Sequence, residues 1–230
     1  MVIAIDGPSG AGKSTVARMV AKRLGLVYID TGAMYRAVAL AVLRAQIPME
    51  HTEDIIGIAE NVTIRFEQPS AAEPNAAQQV WLGNENVTDR IRDPAVTQLS
   101  SPVSAIGGVR AALVARQREM ARSVGVVMEG RDIGTVVLPW AEVKVFLTAS
   151  PQERARRRCT ELAAKGHPAD IAVVAAQMAE RDERDSTRSD SPLRPADGSV
   201  LIDSDGLSAC EVAERIISMA RSVECRCSTE

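Results

Sequence analysis

The chain has 230 residues, 46% of them hydrophobic but only 3% aromatic, which fits one medium α/β domain with an aliphatic core. A net charge of −3 argues against general binding to nucleic acid or to an anionic membrane. No run approaches the roughly 18 unbroken apolar residues that a membrane span needs.

Basic residues are nevertheless concentrated. Arg154, Arg156, Arg157, Arg158, Arg181, Arg184, Arg188 and Arg194 all fall within 150–194, a local surface suited to a small anionic ligand. The start, "MVIAIDGPSG", lacks the basic and long apolar segments of a signal peptide. Cys159, Cys210, Cys225 and Cys227 show no paired or metal-like spacing beyond the C-R-C of the tail. A reduced, cytoplasmic chain is expected, and the lack of a long apolar patch favours a monomer.

In chain order, "VIAID" (2–6) is continuously apolar up to its last residue, as in a central strand buried on both faces. "KSTVARMVAKRLG" (13–25) has helical spacing and a Gly stop. "VYID" (27–30) predicts a strand and "GAMYRAVALAVLRAQ" (32–46) a long helix. "VTIRFEQ" (62–68) and "QQVWLGNENV" (78–87) break the rhythm: both are strand-like, they are joined by "PSAAEPNAA", and the second carries a G-N turn. They predict a small antiparallel insert. "VGVVMEG" (124–130) and "VKVFLTA" (143–149) are further buried strands. "SPQERARRRCTELAAKG" (150–166) is a helix with Ser150 at its cap, and "ADIAVVAAQMAERDERD" (169–185) is another. "SVLIDS" (199–204) and "SACEVAERIISMARSV" (208–223) close the chain as strand and helix. Strands alternating with helices imply a parallel sheet covered on both sides.

"GPSGAGKST" (7–15) satisfies G-x-x-x-x-G-K-[ST] through Gly7, Gly12, Lys13 and Ser14, between a buried strand and an amphipathic helix. Its glycines let backbone N–H groups face phosphate oxygens, and the following helix adds its positive end. Lys13 is placed to reach the β- and γ-phosphates and Ser14 to ligate Mg²⁺, with ATP as the expected nucleotide.

Three stretches bear on the acceptor. "DTGAMYR" (30–36) sets Thr31 and Arg36 at the start of a helix. "EGRDIGTVV" (129–137) concentrates charge beyond a strand end, where α/β folds hold their ligands. "RDERDSTR" (181–188) spaces Arg181, Asp185 and Arg188 at i, i+4, i+7. No N-K-x-D base-reading motif of a GTPase is present, and "DSDG" (203–206) fits D-x-x-G only by letter. A small kinase acting on a small acceptor follows. Another P-loop kinase preferring UMP or a non-nucleotide acceptor, and an ATP-gated regulatory protein, remain as alternatives.

"GPSGAGKST", "DTGAMYR", the β-rich insert, "VR" at 109–110, "EGRDIGTVV", "RDERDSTRSDSPL" and "VLIDS" run along nearly the whole chain in the order of the bacterial cytidylate kinases, which it resembles. The resemblance implies a P-loop three-layer sandwich with a central parallel sheet, a small antiparallel insert and a helical lid. It implies one kinase domain: core 1–60, 106–150 and 191–230, monophosphate-binding insert 61–105, lid 151–190. It implies transfer from Mg·ATP to CMP or dCMP, with no nucleic-acid or membrane partner. Gly7, Pro8, Ser9, Gly10, Ala11, Gly12, Lys13, Ser14 and Thr15 match the family's ATP loop. Arg154, Arg157 and Arg158 match its lid, and Ser14 its metal position. Thr31, Arg36 and Arg131 match positions that grip the acceptor phosphate; Ser101, Arg110 and Asp132 read cytosine, with Arg188 nearby; Arg181 and Asp185 hold the sugar. Lys13, Arg131 and Arg36 are the catalytic set, and no general base is expected. Trp140 stands where relatives commonly have Asp, and is expected to be a packing difference. His51 and His167 are expected to face solvent, and Met19, Met34 and Met178 to lie in the core.

Overall fold

Val2–Asp6 form the central strand β1, with Ile3, Ala4 and Ile5 fully buried, as a continuously apolar run requires. The structure, a computed structural model, describes residues 1–68, 78–122, 124–164 and 166–227. The joiner "PSAAEPNAA" (69–77) lies outside the described residues, as does the side chain of Cys227 in the C-R-C tail.

In chain order β1 is followed by α1 (Lys13–Leu24), β2 (Val27–Asp30), α2 (Thr31–Ala45), α3 (Thr52–Asn61), β3 (Ile64–Glu67), β4 (Gln79–Leu82) and β5 (Glu85–Asn86). A 3₁₀ turn (Arg90–Arg92) leads to α4 (Pro94–Ala105), α5 (Gly107–Arg122) and β6 (Val126–Gly130). A single π-helical turn (Ile133–Val137) precedes β7 (Val143–Thr148), α6 (Pro151–Ala164), α7 (Ile171–Thr187), β8 (Val200–Asp203) and α8 (Ala209–Cys227). The chain divides into two compact units, Met1–Tyr28 with Val124–Glu230, and Ile29–Ser123.

The first unit is built on a sheet of order β2-β6-β1-β7-β8. β1 runs parallel to β6 with Asp6 opposite Gly130, and parallel to β7 with Asp6 opposite Phe146. β7 runs parallel to β8 with Thr148 opposite Asp203. Asp6, Gly130, Thr148 and Asp203 therefore end their strands along one edge, where ligands of open α/β sheets bind. One face is closed by Val16, Ala17, Val20 and Ala21 of α1 and Val212, Ala213, Ile216 and Ile217 of α8, packed on Ile3, Ile5, Val145 and Leu147. Each fully buried Ile, Leu or Val contributes about 1.5–3 kcal/mol. β8 is the outer strand, and Leu201 is 62% exposed there.

The second unit pairs β3, β4 and β5 into an antiparallel sheet, as the alternation of 62–68 and 78–87 predicts. Gly83, in the left-handed region at φ 58°, turns β4 into β5 at the G-N signal. Three helices here are not announced by the sequence pattern. α3 is short, α4 carries Pro102 in its interior, and α5 opens on Gly107–Gly108. Their apolar faces meet α2 around Met34, Leu40, Ile55, Ile91 and Leu113.

His51 and His167 face solvent, Met34 and Met178 are buried, and Met19 packs against the sheet core, as expected. Trp140 corrects its expectation. Leu138 and Ala141 take the inward positions and the Ala141 N–H closes a turn onto the Leu138 carbonyl at 2.9 Å, which leaves Trp140 at the tip and 53% exposed.

Gly7 tests the fold at its tightest point. Its φ is 147°, and a Cβ there would lie 1.9 Å from the backbone oxygen of Leu147 in β7. Neither strand can yield without breaking the register. Gly7→Ala is expected to cost about 3 kcal/mol or more, a fall in Tm of roughly 10 °C by calorimetry. An unchanged Tm would show that the loop is not wedged against β7.

Candidate active site

The phosphate cradle begins where β1 ends. Gly10 and Gly12 are left-handed, at φ 76° and 93°, which turns the chain over itself before α1. Gly12 is the cap residue of α1; no side chain caps the helix and its first turn holds no carboxylate. The first N–H groups of α1 are thus left for an external anion. Lys13 is buried, and its ammonium donates to the Pro8 carbonyl at 2.7 Å. Burial, with the nearby charge of Arg131, outweighs Glu129 and Asp6 and pushes the Lys13 ammonium down to about 7. Pro8, Ser9, Gly10 and Ser14 are half-buried and Thr15 is exposed, while Ala11 is buried. Glu129, at the end of β6, accepts a hydrogen bond from the buried Tyr28 hydroxyl.

Two of the three candidate lid arginines reach this loop. Ser150 caps α6, its Oγ accepting from the Glu153 N–H at 3.3 Å. Arg154 then turns inward and donates to the carbonyls of Ala149 and Ser9, each at 3.1 Å. It also pairs with Asp182 of α7, whose other carboxylate oxygen accepts from the Ser9 N–H at 3.2 Å. Arg157 donates to both Oγ and the carbonyl oxygen of Ser204 at 2.9 Å, and to Ala11 at 3.5 Å. Arg158 turns away to Glu161 at 2.8 Å.

Beside the loop, in the same unit, lies a charged cluster on the turn after β6 and the end of α7. Arg131 Nε donates to Asp185 Oδ2 at 2.9 Å, and its Nη1 to the Gly7 carbonyl at 3.1 Å. Arg181 and Arg188 stand 4.0 and 3.8 Å from Asp185, and Arg188 stands 3.7 Å from Asp132. Three guanidinium groups thus face two buried carboxylates. Burial favours the neutral acid at Asp185, but Arg131, Arg181 and Arg188 overcome it and hold the carboxyl below its ordinary value. The helical i, i+4 spacing brings Arg181 to Asp185. Arg188 gets there differently: α7 ends at Thr187, and Arg188 Nε holds the returning chain by donating to Ser191 O at 2.7 Å.

The remaining candidates belong to the second unit. Asp30 caps α2 by accepting from the Ala33 N–H at 3.0 Å, and pairs with Arg36 at 2.9 Å. Burial pushes the Asp30 carboxyl up, but Arg36 and the Ala33 N–H bring it below its ordinary value. Arg36 Nε is buried without a hydrogen-bond partner, and Thr31 is buried in the first turn. Ser101 and Arg110 are also buried, and Ser104 links them: its Oγ donates to the Ser101 carbonyl at 2.8 Å, and its own carbonyl lies 3.5 Å from Arg110 Nη1. The Arg110 guanidinium lies 5.6 Å from the centre of the Tyr35 ring.

The sequence reading missed Asp6, Tyr28, Asp30, Tyr35, Asp182 and Ser204. A signal existed for two: Asp6 is a carboxylate closing a buried apolar strand, and Asp30 stands one residue ahead of a helix. Asp6 is buried, its Oδ1 accepting from Ile133 N at 2.8 Å and its Oδ2 from Gly134 N at 2.7 Å. Burial raises its carboxyl to about 6 against the opposing effect of those two N–H groups.

Among the described residues, no helix is long and apolar enough to cross a membrane. The family model described as Cytidylate kinase matches residues 3–222. A cytidylate kinase of Geobacter sulfurreducens is 49% identical over 224 residues, 97% of this chain and 94% of the relative. That of Desulforamulus reducens is 51% identical over 216 residues, 94% of this chain and 95% of the relative. The chain also matches, at 49% identity over 96% of its own length, 41% of a bifunctional pantoate ligase/cytidylate kinase of a Synechococcus strain. An uncharacterised protein of Eubacterium ventriosum shares the fold alone, at a TM-score of 0.52 and 12% identity over 96% of this chain and 98% of that one. A family match across nearly the whole chain agrees with the glycine-rich loop and the cation cluster beside it, and this chain belongs to the cytidylate kinase family.

Proposed function

We propose that the chain is a nucleoside monophosphate kinase that transfers the γ-phosphoryl group of ATP to CMP or dCMP, giving CDP or dCDP. The observation that carries this reading is Arg131, which joins the phosphate loop at Gly7 to the carboxylate–arginine cluster at Asp185.

The cradle fits the donor: left-handed glycines and an uncapped helix start offer N–H groups to phosphate, and buried Lys13 offers its ammonium. Ser14, in the first turn of α1, would hold Mg²⁺, which would offset the charge of the donor phosphates. Bound as Mg·ATP, the donor supplies the group that is transferred. Arg154 and Arg157 bracket the loop, and residues 151–190 act as a lid that excludes water. Arg158, which pairs with Glu161, is the third lid candidate for the triphosphate. Thr31, Arg36 and Arg131 take the acceptor phosphate; the buried Nε of Arg36, without a hydrogen-bond partner, fits an anion. Ser101, Arg110 and Asp132 read the cytosine edge, with Arg188 nearby, and Arg181 and Asp185 hold the sugar. Phosphoryl transfer spreads charge over equatorial oxygens, and an acceptor phosphate is ionised near neutrality, so cations and positioning suffice and no general base is assigned. The protein acts as one kinase domain, a monomer of the cytoplasm with small-molecule partners only.

The test is ADP release with Mg·ATP, comparing CMP, dCMP, UMP, AMP and no acceptor. Turnover with CMP and dCMP well above the rest supports the reading. Turnover with a different acceptor alone sinks the roles of Ser101, Arg110 and Asp132, and none above background sinks the kinase itself.

Arg188→Ala separates acceptor from donor. Its removal leaves buried Asp132 and Asp185 short of a cation. kcat/KM for CMP is expected to fall about 100-fold while the Kd of ATP stays within roughly 3-fold. Equal losses on both would remove Arg188 from the acceptor site.

A further inference from the structure

We infer that Asp6, in the first unit, is a positioning residue that locks the turn carrying Arg131 and Asp132 onto the phosphate loop. The inference rests on the kinase reading above and adds to it a residue with no contact to substrate.

The turn Ile133–Val137 begins with N–H groups that no local side chain caps. Asp6 supplies the missing acceptors across the sheet, one carboxylate oxygen to each of the first two N–H groups, at 2.8 and 2.7 Å. The next residue, Gly7, accepts from Arg131 at 3.1 Å. Asp6, the last residue of β1, and Gly7 after it therefore hold residues 131–134 at three points, and Gly7 opens the phosphate loop. The fit is close on the far side as well: a Cβ on Gly134 would lie 3.4 Å from Asp6 Oδ2 and 3.1 Å from the Ala196 Cβ. A carboxylate is required here and not merely a polar group, because two N–H groups point at it and Asn offers a single oxygen. Burying a carboxylate is costly, and the two N–H donors of the turn offset that cost here, with the charge of Lys13 adding a further attraction.

The test is Asp6→Asn in the full chain, with Gly134→Ala as a second variant that crowds the same contact and keeps the carboxylate. Losing one charge-assisted bond is expected to lower kcat/KM for CMP roughly 10- to 100-fold, with the Kd of ATP within about 3-fold. Amide exchange at Ile133 and Gly134 is expected to quicken by about the same factor. Gly134→Ala is expected to shift both readouts in the same direction by less, and it carries the test if Asp6→Asn does not fold. Unchanged exchange at Ile133 and Gly134 overturns the inference, and so does a loss of ATP affinity equal to the loss with CMP, which would make Asp6 a support of the loop alone. If the wild-type protein shows no CMP turnover, the kinase reading fails by itself, and the exchange arm still decides whether Asp6 holds the turn.

Discussion

Lys13→Met is expected to lower the rate of phosphoryl transfer to every acceptor by about 10³-fold or more while leaving the protein folded. Methionine keeps the length of the side chain and removes the ammonium. In the structure that ammonium is buried against the Pro8 carbonyl, and burial has driven it down to about 7. Replacing a poorly solvated charge with an apolar group of similar size is often neutral or stabilising, so Tm should hold or rise. The sign of the pH dependence follows. Between about 7 and the ordinary lysine value near 10.5, the unfolded chain keeps a proton that the folded one has lost. Stability therefore rises with pH across that window through this group, and the methionine variant loses that slope. Phosphate oxygens reverse the depression, so ATP binding at pH 8 should take up protons and at pH 6 should take up few. Calorimetric titration in two buffers of different ionisation enthalpy measures this, with Lys13→Met as the control. Identical uptake in both proteins would mean that Lys13 does not face the triphosphate. A collapse of Tm in the variant would make its bond to Pro8 a structural tie.

How far the sequence could be read depended on whether a signal was local. The cradle is local: strand, loop and helix are consecutive, and Gly7, Gly12, Lys13 and Ser14 stand as their spacing implies. The antiparallel insert was readable for the same reason, from alternation and one G-N turn. Arg181 and Asp185 follow from helical periodicity. What escaped is set by pairs distant in sequence. Asp6 finds its partners at 133 and 134, and Asp182 finds Ser9, contacts that exist only once the sheet places strand ends side by side. Ser204 lies in the "DSDG" stretch that reads as an idle match by letter; parallel pairing of β7 with β8 sets it against Thr148, Ala11 and Arg157. The lid register was undecidable among clustered arginines. Packing separates them: Arg154 and Arg157 bond the loop, whereas Arg158 bonds Glu161 of its own helix. Trp140 shows the converse, an apolar residue whose turn position overrides its size.

Arg131→Ala is expected to lower kcat with CMP by about 10³-fold, with the Kd of ATP changed by less than about 3-fold. Arg131 bonds the phosphate loop itself, through Gly7, and it also bonds Asp185. A guanidinium so tethered needs no reorganisation to meet charge that develops between donor and acceptor, which is where such groups have their largest effect. Arg131→Lys restores the charge without the two-pronged geometry, and should recover only about 10-fold of the loss. A second consequence separates catalysis from architecture. After burial, which raises it, the largest influence on the Asp185 carboxyl is Arg131, which lowers it. A carboxyl held low in the folded state stabilises the protein above the ordinary carboxylate value, and this contribution is lost as pH falls through the folded value. Without Arg131 that folded value moves up, so the acid-unfolding midpoint should rise, whereas stability at pH 8 falls only modestly because Arg181 and Arg188 still face Asp185. Circular dichroism against pH reads the midpoint, and steady-state kinetics at pH 8 reads the transfer. A variant that loses acid stability yet keeps its kcat would leave Arg131 as a brace for Asp185 and move the transition-state role to Lys13 and Arg36.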